Sequence, residues 1–540
     1  MELSMTKNND LATAVQSLVL DIVKEQTCYS ESDLLPDVPM EEGLGIDSII
    51  LASIVDELQQ VFVFEHKLNS ASFNTINDLL ARCEGVALSE KGQAKLVTLG
   101  INHDVPVNDV SVNECPTAQE GPSHTTMRDF VSDGSPDLFS KVRKFNDFYE
   151  TQAQTGNFWY GMPLSSRCEN RATIFDAYQN KEREFLMFAS NNYLGLANEP
   201  RVIDAICKAA KEYGATNTGC RLIGGTNHLH LELEERLAHF KGREACIVFP
   251  SGYSANLGTI SALTGPKDTV ITDVYNHMSI QDGCKLSGAK KRIYKHNDMA
   301  SLEEVLKGCA DSEGGKLIVA DGVFSMHGNI VKLPEMVRLA RKYQARILID
   351  DAHSTGILGA TGSGTAEHFN LKHEVDLELG TMSKTLAGMG GFVCGDKDVI
   401  DYLRFYANSY VFAATIPAHI AAGLIQCIDI IEKEPERIER LWSNVNYLHS
   451  ALKELGFNTG DSESAIIPIV IGDEALAMKM GHAVRQQGMF CQTVVFPGVA
   501  VGDARLRISV LSQHTKADLD GAIEILVNAA RSVNLPNFKG

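Results

Sequence analysis

Three six-residue runs, ACIVFP at 245–250, KLIVAD at 316–321 and RILIDD at 346–351, do most to limit what this chain can fold into. Each is largely apolar and too short for a buried helix, which predicts strands covered on both faces. Helical patterns, such as the one at 334–343, separate the runs. Short buried strands alternating with helices predict an α/β domain around a mainly parallel sheet, with ligands bound beyond the carboxyl ends of the strands. The last hundred residues mix helix and strand and predict a smaller C-terminal subdomain.

The chain has 540 residues, 44% hydrophobic and 22% charged, enough for a large core and for more than one domain. Its net charge of −20 is unevenly placed, with 4 Lys/Arg against 15 Asp/Glu in residues 1–85. That balance argues against nucleic acid or an anionic membrane as a partner. In the acidic segment, Leu11, Val15, Leu18, Leu20 and Val23 share roughly one helical face. A second helix is expected after Ser48, from Ile50, Ile54, Leu58 and Val61 or Phe62, with Asp47 or Ser48 as its cap. A third is expected at 75–83, making a small helical bundle. Residues 86–136, rich in Asn, Pro, Ser, Thr and Asp, read as a linker. The N-terminus has neither a basic leader nor an apolar span, so the expected location is the cytoplasm, with no transmembrane segment. The 12 cysteines form no CxxC pair and no zinc pattern; Cys207, Cys246, Cys394 and Cys427 lie in apolar runs and are expected to be buried free thiols.

Several features suit chemistry. In ACIVFPSGYSANLGTI a strand passes through Ser251-Gly252-Tyr253 into a helix, whose free N–H groups fit a phosphate; an ordinary strand-to-helix turn has the same pattern. In ARILIDDAHSTG a buried strand ends in Asp350 and Asp351, with His353 close behind. In GTMSKTLAGMGG, Lys384 sits among small residues, where a desolvated amine serves Schiff-base chemistry. His277 lies in DVYNHMSIQDG. Taken singly, Lys384 reads as a surface lysine and His277 as a structural histidine.

In order along the chain, these motifs resemble the fold-type-I pyridoxal-phosphate enzymes, specifically the α-oxoamine synthases. The resemblance covers about 138–535 and includes FASNNYLGL, SGYSAN, NHMS, DGVFSMHGN, DDAHSTGILG, TMSKTLAG and ARLRIS. GCRLIGGTNHLHLELEERLAHF and GTAEHFNL are most similar to serine palmitoyltransferase. The resemblance implies an aspartate-aminotransferase-like large domain and a homodimer. It implies that Lys384 forms the Schiff base and moves the Cα proton, that Asp350 pairs with the pyridine nitrogen, and that His277 stacks on the ring. His353 and Ser325 would bond the phenolic oxygen, and Gly252, Tyr253 and Thr381 would hold the cofactor or its phosphate. Arg507, assisted by Asn191, would bind the substrate carboxylate bidentately, with Arg505 as the alternative. The sequence departs from its relatives at Ala413 and Ala414, where a hydroxyl that reaches the phosphate across the dimer interface is common; either Thr415 substitutes or that contact is lost.

The opening segment, EEGLGIDSIILASIVDELQQVF, resembles an acyl carrier protein. That implies a phosphopantetheine arm on Ser48, attached by a phosphopantetheinyl transferase and charged by an acyl-loading enzyme. The expected domains are a carrier at 8–85, a linker at 86–136 and a synthase at 137–540, itself divided into 137–187, 188–428 and 429–540. The implied reaction is a decarboxylative condensation of an amino acid, serine favoured and alanine or glycine open, with the arm-borne acyl thioester to give an α-amino ketone. A synthase using free acyl-CoA, with the N-terminal domain only docking, and an inactive scaffold are the alternatives; Lys384 and Asp350 both being present disfavours the scaffold.

Overall fold

The computed structural model describes residues 2–27, 34, 36–37, 40, 46, 48–64, 68, 73–84, 86–98, 127–131, 135–155, 160–177, 179–310, 312–536 and 538–539. The chain divides into two compact units, Met1–Phe148 and Tyr149–Gly540. In the first, helices Glu2–Thr27, Ser48–Val61, Ile76–Cys83 and Glu90–Thr98 enclose an apolar core. Val15, Leu18, Leu20 and Val23 are buried there as expected, and so are Ile54, Leu58, Val61 and Phe62. Thr75 caps the third helix reciprocally with Asp78. Ser48 opens the second helix; its side chain, Asp47 and the side chains of Leu11 and Ile50 lie outside the described residues, as do residues 99–126 in the expected linker.

The linker begins later than 86. Helix Glu90–Thr98 belongs to the first unit, with Leu88 and Leu96 in its core and the Ser89 hydroxyl bonded to the Val61 carbonyl at 3.1 Å. Two apolar side chains in a polar stretch suffice, because the segment covers an edge of a bundle that is already formed.

The second unit starts with a hairpin of β1 (Arg171–Asp176) and β2 (Lys181–Met187). Seven strands form its central sheet: β3 (Ala245–Phe249), β4 (Thr269–Asp273), β5 (Lys290–Tyr294), β6 (Lys316–Asp321), β7 (Arg346–Asp350), β8 (Leu377–Thr381) and β9 (Gly391–Gly395). Their order is β3-β9-β8-β7-β6-β4-β5, and only β9 runs against the rest. Parallel strands place their carboxyl ends on one edge, so the segments that follow β3, β4, β6, β7 and β8 all meet there. Helices cover both faces, which is why the strands are nearly continuous apolar runs; Ile347, Leu348 and Ile349 are buried. Helix Leu333–Tyr343 starts with proline in its first turn and turns Met336, Val337, Leu339 and Ala340 inward. A three-stranded sheet of β10 (Ile466–Gly472), β12 (Gln492–Val494) and β13 (Ala504–Ser509) belongs to the C-terminal part, while β11 (Met489–Phe490) extends the hairpin sheet.

Cys246, Cys394 and Cys427 are buried, but Cys207 is exposed. Its helix, Pro200–Tyr213, buries the stripe of Val202 and Ala209, and Cys207 points away from it. Among the described residues no helix is long and apolar enough to cross a membrane, and no group of three metal-binding side chains occurs.

Candidate active site

At the carboxyl edge of the sheet lies a cavity of about 260 Å³, lined by Gly252, Tyr253, His277, Ser325, Asp350, His353, Thr381 and Lys384 among others. Every cofactor residue named from the sequence therefore faces one space.

Gly252 begins the helix Gly252–Leu263, capped by Ser251, whose side chain accepts from the Ser254 N–H. A side chain at Gly252 would press on Thr381, with its Cβ 2.9 Å from that of Thr381. Free helix N–H groups beside a hydroxyl, with no side chain between, form a cradle for a phosphate. The Thr381 hydroxyl lies 2.9 Å from that of Ser383. The Tyr253 hydroxyl is turned to Asp282, so Tyr253 offers the cavity its ring, set edge-on to His277 at 6.2 Å.

Asp350 is buried, with Oδ2 accepting from Asn256 Nδ2 at 2.7 Å and Oδ1 from the Ala352 N–H at 2.9 Å. Asn256 also reaches Ser279 Oγ at 2.9 Å, and His277 Nδ1 lies 2.8 Å from the same hydroxyl. The Ser279 N–H donates to His277 Nδ1 at 3.2 Å, so that nitrogen is an acceptor. Burial lowers the His277 pKa and favours the neutral ring.

Lys384 Nζ is 2.8 Å from His353 Nε2. Enclosure by protein brings its pKa down to about 8, with Asp350 opposing and Arg507 assisting the shift. The amine is thus readily available in neutral form, as a Schiff-base lysine requires. His353 Nδ1 lies 2.9 Å from the Tyr193 hydroxyl.

Arg507 and Arg505 project from the same strand but differ in surroundings. Arg505 pairs with Asp503 and donates to the Met326 carbonyl at 3.1 Å. Arg507, also buried, is held by neutral groups: the Ser325 carbonyl at 2.6 Å, Ser509 Oγ at 2.9 Å, Gln492 Oε1 at 3.4 Å and Asn191 Oδ1 at 3.3 Å. No carboxylate pairs with it among the described residues. A buried cation without a counter-ion is costly, and an incoming carboxylate would relieve that cost.

Asp351 does not face the cavity. It is buried against Lys241 Nζ at 2.7 Å. Sequence reasoning missed Lys241, as it missed Tyr193, Asn256 and Ser279, although the last three lie inside the quoted motifs FASNNYLGL, SGYSAN and NHMS. Thr415 donates its N–H to the Gly219 carbonyl at 3.2 Å, and its buried hydroxyl has no partner among the described residues.

Comparison with known proteins agrees with this geometry. Residues 183–526 match the aminotransferase class I and II family, and residues 17–83 match the phosphopantetheine attachment site family. The chain is 54% identical over 531 residues to 4-hydroxy-2,2'-bipyrrole-5-methanol synthase PigH of Serratia sp., covering 96% of this chain and 81% of that protein. It is 43% identical to serine palmitoyltransferase of Bacteriovorax stolpii, over 66% of this chain and 85% of that one. The chain belongs to the α-oxoamine synthases of the class I and II aminotransferase family. This carrier-fused α-oxoamine synthase is also similar to the solved serine palmitoyltransferase of Sphingomonas wittichii, with TM-score 0.70 and 32% identity, covering 74% of this chain and 99% of that one. As such it is a pyridoxal-phosphate-dependent acyltransferase with a phosphopantetheine carrier domain. The glycine cradle, the buried carboxylate and the enclosed lysine fit pyridoxal phosphate.

Proposed function

We propose that this α-oxoamine synthase condenses L-serine with a 3-oxoacyl thioester carried on phosphopantetheine at Ser48. The observation that carries the amino-acid half is Arg507, a buried guanidinium held, among the described residues, by neutral groups and linked through hydrogen bonds to the Lys384 amine. In this reading Arg507 and the Asn191 amide hold the serine carboxylate, and Asp350, steadied by Asn256, holds the pyridine N–H. The neutral His277 ring would pack over the cofactor, Ser325 and His353 would bond its phenolic oxygen, and Gly252, Tyr253 and Thr381 would hold its phosphate end. Pyridoxal phosphate, when bound, supplies the electron sink for a carbanion at the serine Cα. Lys384 Nζ would hold the cofactor, and its amine would take the proton from the serine Cα. The balance is serine plus acyl thioester giving an α-amino ketone, carbon dioxide and the free thiol.

Serine and a 3-oxoacyl group account for a product of the kind named in the Serratia relative. Serine supplies the ring nitrogen, the carbon at position 5 and its hydroxymethyl group, and the thioester carbonyl becomes position 4. The amine then adds to the 3-oxo carbon, and loss of water closes a 4-hydroxypyrrole. Tethering on the same chain raises the effective thioester concentration to about millimolar. Exposed Ile223, Phe405, Tyr406 and Phe412 support a homodimer. An acyl-loading enzyme and a phosphopantetheinyl transferase are the further partners, and the cytoplasm is the proposed location.

The test is made on the full chain, co-expressed with a phosphopantetheinyl transferase. Intact mass is expected to show the arm on the parent protein and not on Ser48→Ala, and only the armed protein should release product from serine and self-loaded thioester. Equal turnover of a free coenzyme A thioester by both would favour the second reading, a synthase fed from solution. That reading has support in 8-amino-7-oxononanoate synthase of Exiguobacterium sibiricum, 97% of whose length is matched by 386 residues, leaving no room for a carrier.

A further inference from the structure

The Tyr193 hydroxyl joins the two ends of the site. It lies 2.9 Å from His353 Nδ1 and 3.3 Å from Asn191 Oδ1, on a fully buried ring. Beyond His353 comes Lys384 Nζ, 2.8 Å from Nε2, and beyond Asn191 come the two terminal nitrogens of Arg507, at 3.4 and 3.3 Å from Oδ1. An unbroken line of hydrogen bonds thus runs from the lysine amine to the guanidinium through three uncharged side chains.

We infer that Tyr193 is a positioning residue through which the carboxylate end of the site sets the proton on His353, a reading that rests on the roles proposed above for Lys384 and Arg507. A phenol has one proton to donate. If Tyr193 donates to Asn191 Oδ1, then His353 Nδ1 carries the ring proton and donates to the phenol oxygen, leaving Nε2 as an acceptor beside Lys384. If Tyr193 donates to His353 Nδ1, the ring proton sits on Nε2, which becomes a donor.

Asn191 Oδ1 decides between the two. It is approached by both terminal nitrogens of Arg507 and by Ser509 Oγ at 3.4 Å, more donors than its two lone pairs serve well. A carboxylate seated on Arg507 draws donors away and frees Oδ1 for Tyr193. That selects the arrangement in which His353 Nε2 accepts from Lys384 Nζ. His353 remains neutral in both arrangements, because burial and the cations Lys384 and Arg507, with His277 beside them, hold its pKa well below the usual imidazole range. Asp350 and Asp321 face Lys384 and oppose the fall in its pKa.

The test uses the full-length protein loaded with pyridoxal phosphate, with and without 3-hydroxypropanoate, a carboxylate that keeps the serine hydroxyl and lacks the amine. In the parent protein this probe is expected to compete with serine and to move the pH midpoint of the visible absorbance band by about half a unit. Tyr193→Phe keeps the ring and should keep the band, while serine binding weakens about 3- to 10-fold. In that variant the probe-induced shift should fall below half of the parent's, the remainder being the direct Coulomb effect of the carboxylate. An equal shift in parent and variant overturns the inference while leaving the proposed function intact. Asn191→Leu cuts the line on the other side of the hydroxyl and should reduce the shift in the same way, which keeps the test decisive if Tyr193→Phe fails to hold cofactor; an unreduced shift there also overturns it. Absence of a visible band in the parent protein would overturn the proposed function and this inference together.

Discussion

Two enclosed lysines serve the same sheet in opposite ways. Lys241, at the end of helix His228–Lys241, is buried with Asp351 at 2.7 Å and Glu378 at 3.5 Å, and their charges raise its pKa against the effect of burial. Lys384 opens on the cavity with a histidine as its near neighbour, and its pKa falls to about 8. The residue type is the same, and the partners decide whether the amine is a fixed charge or a reactive group. The protein has spent its carboxylates unequally. Two compensate the lysine that holds structure, while the lysine at the cavity shares Asp350 with the cofactor pocket.

The contrast is broken most severely at Lys384. Lys384→Ala is expected to lower product formation by about 1000-fold or more and to abolish the visible cofactor band. Its unfolding midpoint in urea should stay within the equivalent of about 1 kcal/mol of the parent. A large loss of stability there would mean that the two lysines are not distinct in role.

Lys241→Met should do the reverse, destabilising the protein by about 3–5 kcal/mol at neutral pH, because it leaves two carboxylates buried without their cation. Urea unfolding followed by far-UV circular dichroism measures this. A variant as stable as the parent would mean that Lys241 is replaceable packing.

The smallest effect tests the acid beside it. Burial pushes the Glu378 carboxyl up to about 7, with Lys241 opposing the shift. Neither of its carboxylate oxygens has a hydrogen-bond partner among the described residues. Its folded-state pKa lies above the unfolded value, so the native protein binds the extra proton in the window from about 4.5 to about 7. The stabilising contribution is therefore full below about 4.5 and is lost as pH rises through about 7. Glu378→Gln should remove this falling limb, a change of about 3 kcal/mol across the window in pH-dependent urea unfolding. An unaltered limb would place the titration elsewhere.

What could be read from the sequence followed a physical rule. Charged residues at the ends of apolar strands are anomalies, and Asp350 and Lys384 stand out for that reason. The strands themselves were legible because a parallel sheet covered on both faces needs nearly continuous apolar runs. Asp351 stood out equally, but successive strand positions alternate in direction, and its partner Lys241 is 110 residues upstream, where no local pattern marks it. Tyr193 and Asn256 escaped notice as site residues because uncharged side chains acquire their roles only from tertiary neighbours. Helix Glu90–Thr98 escaped because its polar composition resembles a linker, and Cys207 was misplaced because an amphipathic helix can expose a residue that sits among apolar neighbours in sequence.

The site is also assembled from distant parts of the chain. Lys384, His353, Asp350 and His277 all precede the end of β9 at Gly395, whereas Arg507 lies on β13, more than a hundred residues later. A ribosome adds about 5–20 residues per second, so the cavity residues on the central sheet emerge several seconds or more ahead of Arg507, the proposed carboxylate clamp. Biosynthesis would therefore order the two proposed ligands in time: a nascent chain has the residues proposed to hold pyridoxal phosphate before it has the arginine proposed to hold an amino acid.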